Sequence, residues 1–276
     1  MTEASGTRRR AHYRCRVIVD LSDRVPHSAP AGTAPRVTVV QNGPDVGLDR
    51  FAHWLPGVDV QVVRPDLGEA LPGPTEVGDG LLVLGGQMSA HDDEAAPWLR
   101  PLRDLLAVVS ATDVPALGIC LGAQLLAVAR GGRVQVAAPP GCEAGVIDVR
   151  WRPEAAQDAL VAPLVALAGA ARTSPLPSMH SDAVVDLPRG AVWLAASSTY
   201  PFQAFRVGSA WGLQFHPEAG TPTLRTWAEG NDQVDTDTVV EQMTARAAEV
   251  EAAGRAVAQA FVNLVHDHAE ARRPPA

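Results

Sequence analysis

The sequence predicts an α/β fold, a three-layer arrangement in which a mostly parallel central sheet carries helices on both faces. Three observations carry that expectation. Between residues 36 and 130, short apolar runs alternate with longer stretches of helical period, the pattern of strands buried on both faces. Residues 115–124, P-A-L-G-I-C-L-G-A-Q, pass from an apolar strand directly into an apolar helix. From residue 134 onward short strands and turns dominate, as expected of a β-rich extension of the sheet or a small antiparallel layer.

The elements follow in order. Residues 37–41 read as a strand, 48–55 as helical, 58–63 as a second strand, and 80–84 (G-L-L-V-L) as a third that ends in Gly85 and Gly86. Residues 95–110 form a helix with Leu99, Leu102, Leu106 and Val109 along one stripe. A strand at 115–119 and a helix at 121–129 come next, then strands at 134–136, 146–151, 183–185, 192–196, 204–207 and 211–215. Thr221 and Pro222 cap and open a helix over 222–228. Thr238 with Glu241 reads as a capping box for one long helix to about residue 268, with Val240, Met243, Ala247, Val250, Val257, Phe261 and Leu264 on its packing stripe. Residues 1–34, which include Arg8, Arg9 and Arg10 and lack any sustained period, are expected to be a disordered extension. Residues 35–230 then make one domain, and 231–276 a C-terminal helix packed on it.

Composition narrows the chemistry. All 23 basic residues are arginine, so Schiff-base catalysis, a pyridoxal phosphate anchor and a P-loop lysine are excluded. A formal net charge of −8 argues against a general nucleic-acid binder. No apolar run approaches a membrane span, and the start is too weak for a secretory signal. Three separated cysteines, Cys15, Cys120 and Cys142, form neither a disulfide framework nor a zinc motif. Cytoplasm, no metal, no cofactor and no membrane partner are the expectations.

Cys120 stands where strand becomes helix, with Gly118 and Gly122 two residues to either side. A cysteine there is either a buried structural residue or a nucleophile on an elbow. The G-x-C-x-G spacing between strand and helix favours the nucleophile, because a tight strand–turn–helix leaves no room for neighbouring side chains. The helix N-terminus offers free N–H groups to a developing oxyanion, Leu121 first among them. A thiol that attacks an amide needs a base. Of the eight histidines, His12, His27, His53, His91, His266 and His268 read as ordinary surface or extension residues. His216, in W-G-L-Q-F-H-P-E, is different: the strand delivers it beside Pro217 and Glu218, and that carboxylate is near enough to fold back and fix the imidazole tautomer. A third segment, L-V-L-G-G-Q-M-S-A-H-D-D, ends a strand in paired glycines whose backbone can approach a ligand.

Together L-G-G-Q-M-S, G-I-C-L-G-A-Q and F-H-P-E, in that order and spacing, resemble the class I (triad-type) glutamine amidotransferases, and among them the stand-alone domains similar to the amidotransferase half of GMP synthase. The resemblance spans residues 36–227 and implies a flavodoxin-like fold. It also implies glutamine as substrate, a γ-glutamyl thioester, and ammonia as product. Carried over, Cys120 is the nucleophile, His216 the base and then acid, and Glu218 its orienting partner. Gly86 and Leu121 supply oxyanion N–H groups, and Gln124, His180 and Asp182 bind glutamine. Ser181 stands where the family's H-G-D loop has glycine, and G-C-E-A-G at 141–145 resembles a structural family turn. No S-G-G-x-D-S loop is present, so the ammonia acceptor is expected on a separate synthase chain. The alternatives are a γ-glutamyl hydrolase of small γ-glutamyl compounds and a non-catalytic binding relative; the intact triad counts against the second.

Overall fold

The computed structural model describes residues 34–273. The expected extension over 1–34, with Cys15, His12 and His27, lies outside the described residues except for its last position.

The described residues form eleven strands and seven α-helices. The first half contains β1 (Arg36–Val40), α1 (Phe51–Trp54), β2 (Asp59–Val63), β3 (Gly80–Val83), α2 (Leu99–Val109), β4 (Ala116–Ile119) and α3 (Leu121–Ala129). The second contains β5 (Arg133–Gln135), β6 (Glu143–Trp151), α4 (Ala162–Ala168), β7 (Thr173–His180), β8 (Ala183–Asp186), β9 (Val192–Ala196), β10 (Ala204–Val207), β11 (Ala210–Leu213), α5 (Thr221–Glu229), α6 (Thr236–Ala245) and α7 (Ala247–Ala271). Nine strands form one sheet in the order β2-β1-β3-β4-β11-β10-β9-β6-β7, while β5 and β8 make a separate antiparallel pair. The β1, β2, β3, β4 and β11 block is parallel, and the remaining pairings in the large sheet are antiparallel.

Alternation along the parallel strands explains why both faces are covered. Val37, Val39, Leu82, Leu84, Leu117 and Ile119 point into one core, shared with Phe51 of α1, Leu164 of α4 and Val257 and Phe261 of α7. Their neighbours Val40, Leu81, Val83 and Ala116 point into the other, with Leu102 and Leu106 of α2 and Leu125 and Leu126 of α3. Successive side chains on a strand face opposite ways, so a strand apolar at every position has to be sandwiched. Each fully buried Leu or Phe contributes about 1.5–3 kcal/mol.

Several expectations are corrected. The helix at 95–110 begins at Leu99, and that at 48–55 shortens to Phe51–Trp54. The last strand stops at Leu213, leaving Gln214 and Phe215 beyond it. Thr238 is not the cap of the C-terminal helix: Asp235 is, its side chain accepting from the Thr238 N–H at 2.7 Å. The single long helix is also two, broken at Arg246 (φ −116°, ψ 21°). The break resets the helical phase, so Val239 and Met243 are buried on α6 while Val240 is half-buried and Ala247 exposed. Strand β7 and helix α4 have no counterpart among the expected elements. Pro175 and Pro177 lie within β7, and proline is tolerated because β7 is the sheet's edge.

A buried polar knot ties the antiparallel half of the sheet together. Asp158, 4% exposed, accepts from the Trp211 indole at 2.8 Å, from Arg206 Nε at 2.9 Å and from the backbone N–H groups of Leu160 and Val161. Asp158→Ala leaves these donors without an acceptor and is expected to cost about 3 kcal/mol, read as a lowered midpoint in denaturant unfolding.

Candidate active site

Three chain segments meet at one place because three adjacent parallel strands end at the same edge. Strand β4 pairs with β3 on one side (Leu82↔Leu117) and with β11 on the other (Leu213↔Ile119). Their carboxyl ends therefore carry Gly85 and Gly86, Cys120, and residues 214–218 side by side, where open α/β sheets place their sites.

Cys120 occupies a strained backbone conformation, φ 50° and ψ −106°, between β4 and α3. Its N–H donates to Leu213 C=O at 2.7 Å, which fastens the elbow to β11. The flanking glycines are demanded by contact. A Cβ on Gly118 would lie 2.5 Å from the Gly122 carbonyl, and one on Gly122 would collide with the Val83 carbonyl oxygen. Leu121 opens α3, so its N–H lies in the first turn, where no helical acceptor exists. Gly86 sits against it: a Cβ there would come within 2.7 Å of Leu121 Cδ2.

His216 and Glu218 are both buried, and Nδ1 of the imidazole meets Glu218 Oε1 at 2.7 Å. Since a carboxylate only accepts, Nδ1 carries the hydrogen and Nε2 is the nitrogen left for Cys120. Cys120 and the imidazole lie to either side of Gly85: a Cβ on it would be 3.1 Å from His216 Cε1 and 3.6 Å from Cys120 Cβ. Burial pushes the imidazole's pKa down, but the Glu218 carboxylate and the Cys120 sulfur outweigh burial and raise it from 6.5 to about 10. The Trp227 ring covers the imidazole with centroids 4.6 Å apart, and its indole N–H donates to Asp45 C=O at 2.9 Å.

Gln124, His180 and Asp182 lie in a polar network behind the thiol. Gln124 Nε2 donates to Asp182 C=O at 2.9 Å and to Gln214 Oε1 at 3.3 Å, and Gln214 Nε2 faces Cys120 Sγ at 3.6 Å. His180 has both ring nitrogens engaged, Nδ1 on Asp182 C=O at 3.0 Å and Nε2 on Glu143 Oε2 at 3.2 Å. The Asp182 side chain accepts from the Ala137 N–H at 2.9 Å. Burial would raise the Glu143 carboxyl's pKa, but hydrogen bonds from His180 and Ser197 outweigh it and hold the group below its usual value. Glu143 is thus the buried anchor of His180 and not merely part of a turn. Gln214, Glu143 and Trp227 were not singled out from sequence. For Gln214 a signal existed: it is a polar residue in an otherwise apolar strand end, two positions before His216.

Among the described residues the other histidines play no part in this cluster: His53, His91 and His266 are exposed and His268 is half-buried. Cys142 is a half-buried free thiol. Among the described residues no group of three or more His, Cys, Asp or Glu could hold a metal ion, and no helix is long and apolar enough to cross a membrane.

The chain is similar to several known proteins. One of the subunits of the glutamine-hydrolysing GMP synthase from Natronomonas pharaonis is 31% identical over 187 residues, 66% of this chain and 88% of that protein. A GMP synthase from Helicobacter pylori is 32% identical over 139 residues, 50% of this chain, and this chain spans only 24% of its length. The crystal structure of a glutamine amidotransferase from Thermotoga maritima superposes with a TM-score of 0.71 at 26% identity, covering 82% of this chain and 97% of that one. The family model for class-I glutamine amidotransferases matches residues 54–226, a span that runs from α1 through the Cys120 elbow and the His216–Glu218 pair. With that span, the chain belongs to the class-I glutamine amidotransferase family.

Proposed function

We propose that the protein hydrolyses the side-chain amide of glutamine through a γ-glutamyl thioester on Cys120 and passes ammonia to an acceptor held by a separate chain. The observation that carries this reading is the strained Cys120 elbow sharing one buried site with an imidazole whose far nitrogen is fixed by Glu218. An imidazole whose pKa is raised to about 10 keeps the proton that the thiol gives up. The thiolate then attacks the amide carbon, and the oxyanion is received by the N–H groups of Gly86 and Leu121. As the tetrahedral intermediate collapses, the C–N bond breaks and His216 gives its proton to the departing nitrogen, releasing ammonia. Water, deprotonated by the now neutral His216, attacks the thioester; glutamate leaves and the thiolate is restored.

Gln124, His180 and Asp182 form the wall on which glutamine lies: Gln124 and His180 both bond the Asp182 C=O, and Glu143 holds the far nitrogen of His180. In this reading residues 35–230 are the amidotransferase domain and 231–276 its helical cover, and the reaction belongs to the reducing cytoplasm, where Cys120 stays a thiol. A separate acceptor chain is supported by the similarity to a protein named as one part of a glutamine-hydrolysing synthase.

Ammonia release from glutamine, with γ-glutamyl amines as competitors, tests the reaction. Turnover of γ-glutamyl amines far above that of glutamine would instead indicate a γ-glutamyl hydrolase. Affinity capture with the intact chain tests for the synthase partner.

A further inference from the structure

We infer that Gln214 is a catalytic residue, a fixed N–H donor to the Cys120 thiolate whose orientation is relayed from a main-chain carbonyl through Gln124. The inference rests on the reading of Cys120 as the nucleophile.

A glutamine amide presents either oxygen or nitrogen to a neighbour, and only its surroundings decide which. Here the decision starts from a group with no freedom. The Asp182 C=O is an acceptor only, so Gln124 has to turn its nitrogen toward it, at 2.9 Å. The same nitrogen lies 3.3 Å from the Gln214 amide, which must therefore show its oxygen to Gln124. One end of Gln214 is thereby fixed, and the other end, a nitrogen with hydrogens, faces Cys120 Sγ at 3.6 Å. Reversing Gln124 would set its oxygen against the Asp182 carbonyl, and reversing Gln214 would set nitrogen against nitrogen, in a site where both side chains belong to residues only 2% exposed. The backbone also anchors the end of this relay: the Gln214 N–H donates to Gln203 C=O at 2.9 Å, just past the end of β11.

The chemistry follows from burial. Among the described residues, these groups lie beside the sulfur. From the segment after β11 come His216, with Glu218 behind it, and Gln214; the β3 end contributes Gly85; and the first turn of α3, Leu121 to Gln124, carries no charge. His180 and Asp182 connect to the sulfur through Gln124 and Gln214. Among the described residues, the Gln214 amide is the side-chain donor hydrogen-bonded to the sulfur, and with the imidazolium it supports negative charge there. It does so twice in the cycle, in the thiolate that attacks the amide and in the thiolate expelled when water opens the thioester. Because the amide does not titrate, its support is the same at every pH.

The test is alkylation of Cys120 by iodoacetamide in the full-length protein, followed by peptide mass at Cys120 and, as an internal reference, at Cys142. The readout is the ratio of Cys120 rates at pH 6 and pH 9, alongside ammonia release from glutamine. Gln214→Glu, which keeps the shape but replaces the donor by a carboxylate, is expected to lower that ratio about tenfold. Gln214→Met, uncharged and similar in volume, is expected to lower it about threefold and decides the matter if the Glu variant fails to fold. Gln124→Met, which removes the orienting donor, should move the ratio in the same direction. An unchanged ratio in the Gln214 variants, with the wild type labelling at Cys120 and releasing ammonia, overturns the inference and leaves the proposed function standing. If wild-type Cys120 labels no faster than Cys142 at pH 6 and releases no ammonia, the functional reading itself falls, and this inference with it. A lowered melting temperature without a change in the ratio would mark Gln214 as a packing residue only, and would also overturn it.

Discussion

Cys120→Ala is expected to lower ammonia release from glutamine by at least about a thousandfold while leaving thermal unfolding close to that of the wild type. In the proposed mechanism there is no second route, because the proposed oxyanion donors and the imidazole remain but nothing forms the thioester. The fold does not depend on the sulfur, since the elbow is held by the Cys120 N–H to Leu213 C=O bond and by the glycines at 118 and 122, all of which alanine preserves. Alanine at φ 50° carries the same backbone strain as cysteine. The companion measurement is labelling with an electrophilic glutamine analogue, which should modify the wild type once, on the peptide containing Cys120. Modification of Cys142 or Cys15 in its place would contradict the site.

The second large effect is expected at Glu218. Glu218→Gln keeps the size of the side chain but removes the charge that fixes Nδ1–H and favours the imidazolium, and a loss of about a thousandfold in kcat/KM is expected, as for the orienting carboxylate of a triad. The same variant has a pH signature in stability. His216 has its pKa raised in the folded protein from 6.5 to about 10. A raised folded pKa means that the ion pair's stabilisation is fully present below about pH 6.5 and is lost as pH rises through about 10. The melting temperature of the wild type should therefore exceed that of Glu218→Gln most at pH 6, with the gap narrowing toward pH 10. A gap that stays constant over this range would mean that no imidazolium–carboxylate pair forms.

Much of the fold was legible because period-two alternation and helical stripes are local signals. The mostly apolar runs at β1, β3 and β4 announced a sandwiched parallel sheet, and the two cores that receive alternate residues are its consequence. Strand β7 was not legible, since Pro175 and Pro177 read against a strand and only its place at the sheet's edge makes them acceptable. The break at Arg246 was hidden for a different reason. No Gly or Pro stands near residue 246, so nothing local marks the break; the tertiary packing of α6 against β6 and of α7 against the sheet sets two axes where sequence period suggested one. The Asp235 cap was missed because Thr238 and Glu241 offered an equally good local pattern one turn later.

The sequence by itself determined which atoms are available: one thiol between glycines, one imidazole followed by proline and a carboxylate, and paired glycines after a strand. Those motifs are contiguous, and their chemistry is written in residue type and spacing. Only the tertiary structure decided how they are joined. Parallel pairing of β3, β4 and β11 brings three ends, far apart in sequence, to one edge. Residues 124, 182 and 214 then meet in a buried space where each amide has one permissible orientation. Hydrogen-bond direction in a buried site depends on neighbours contributed by distant strands, and no local pattern encodes it.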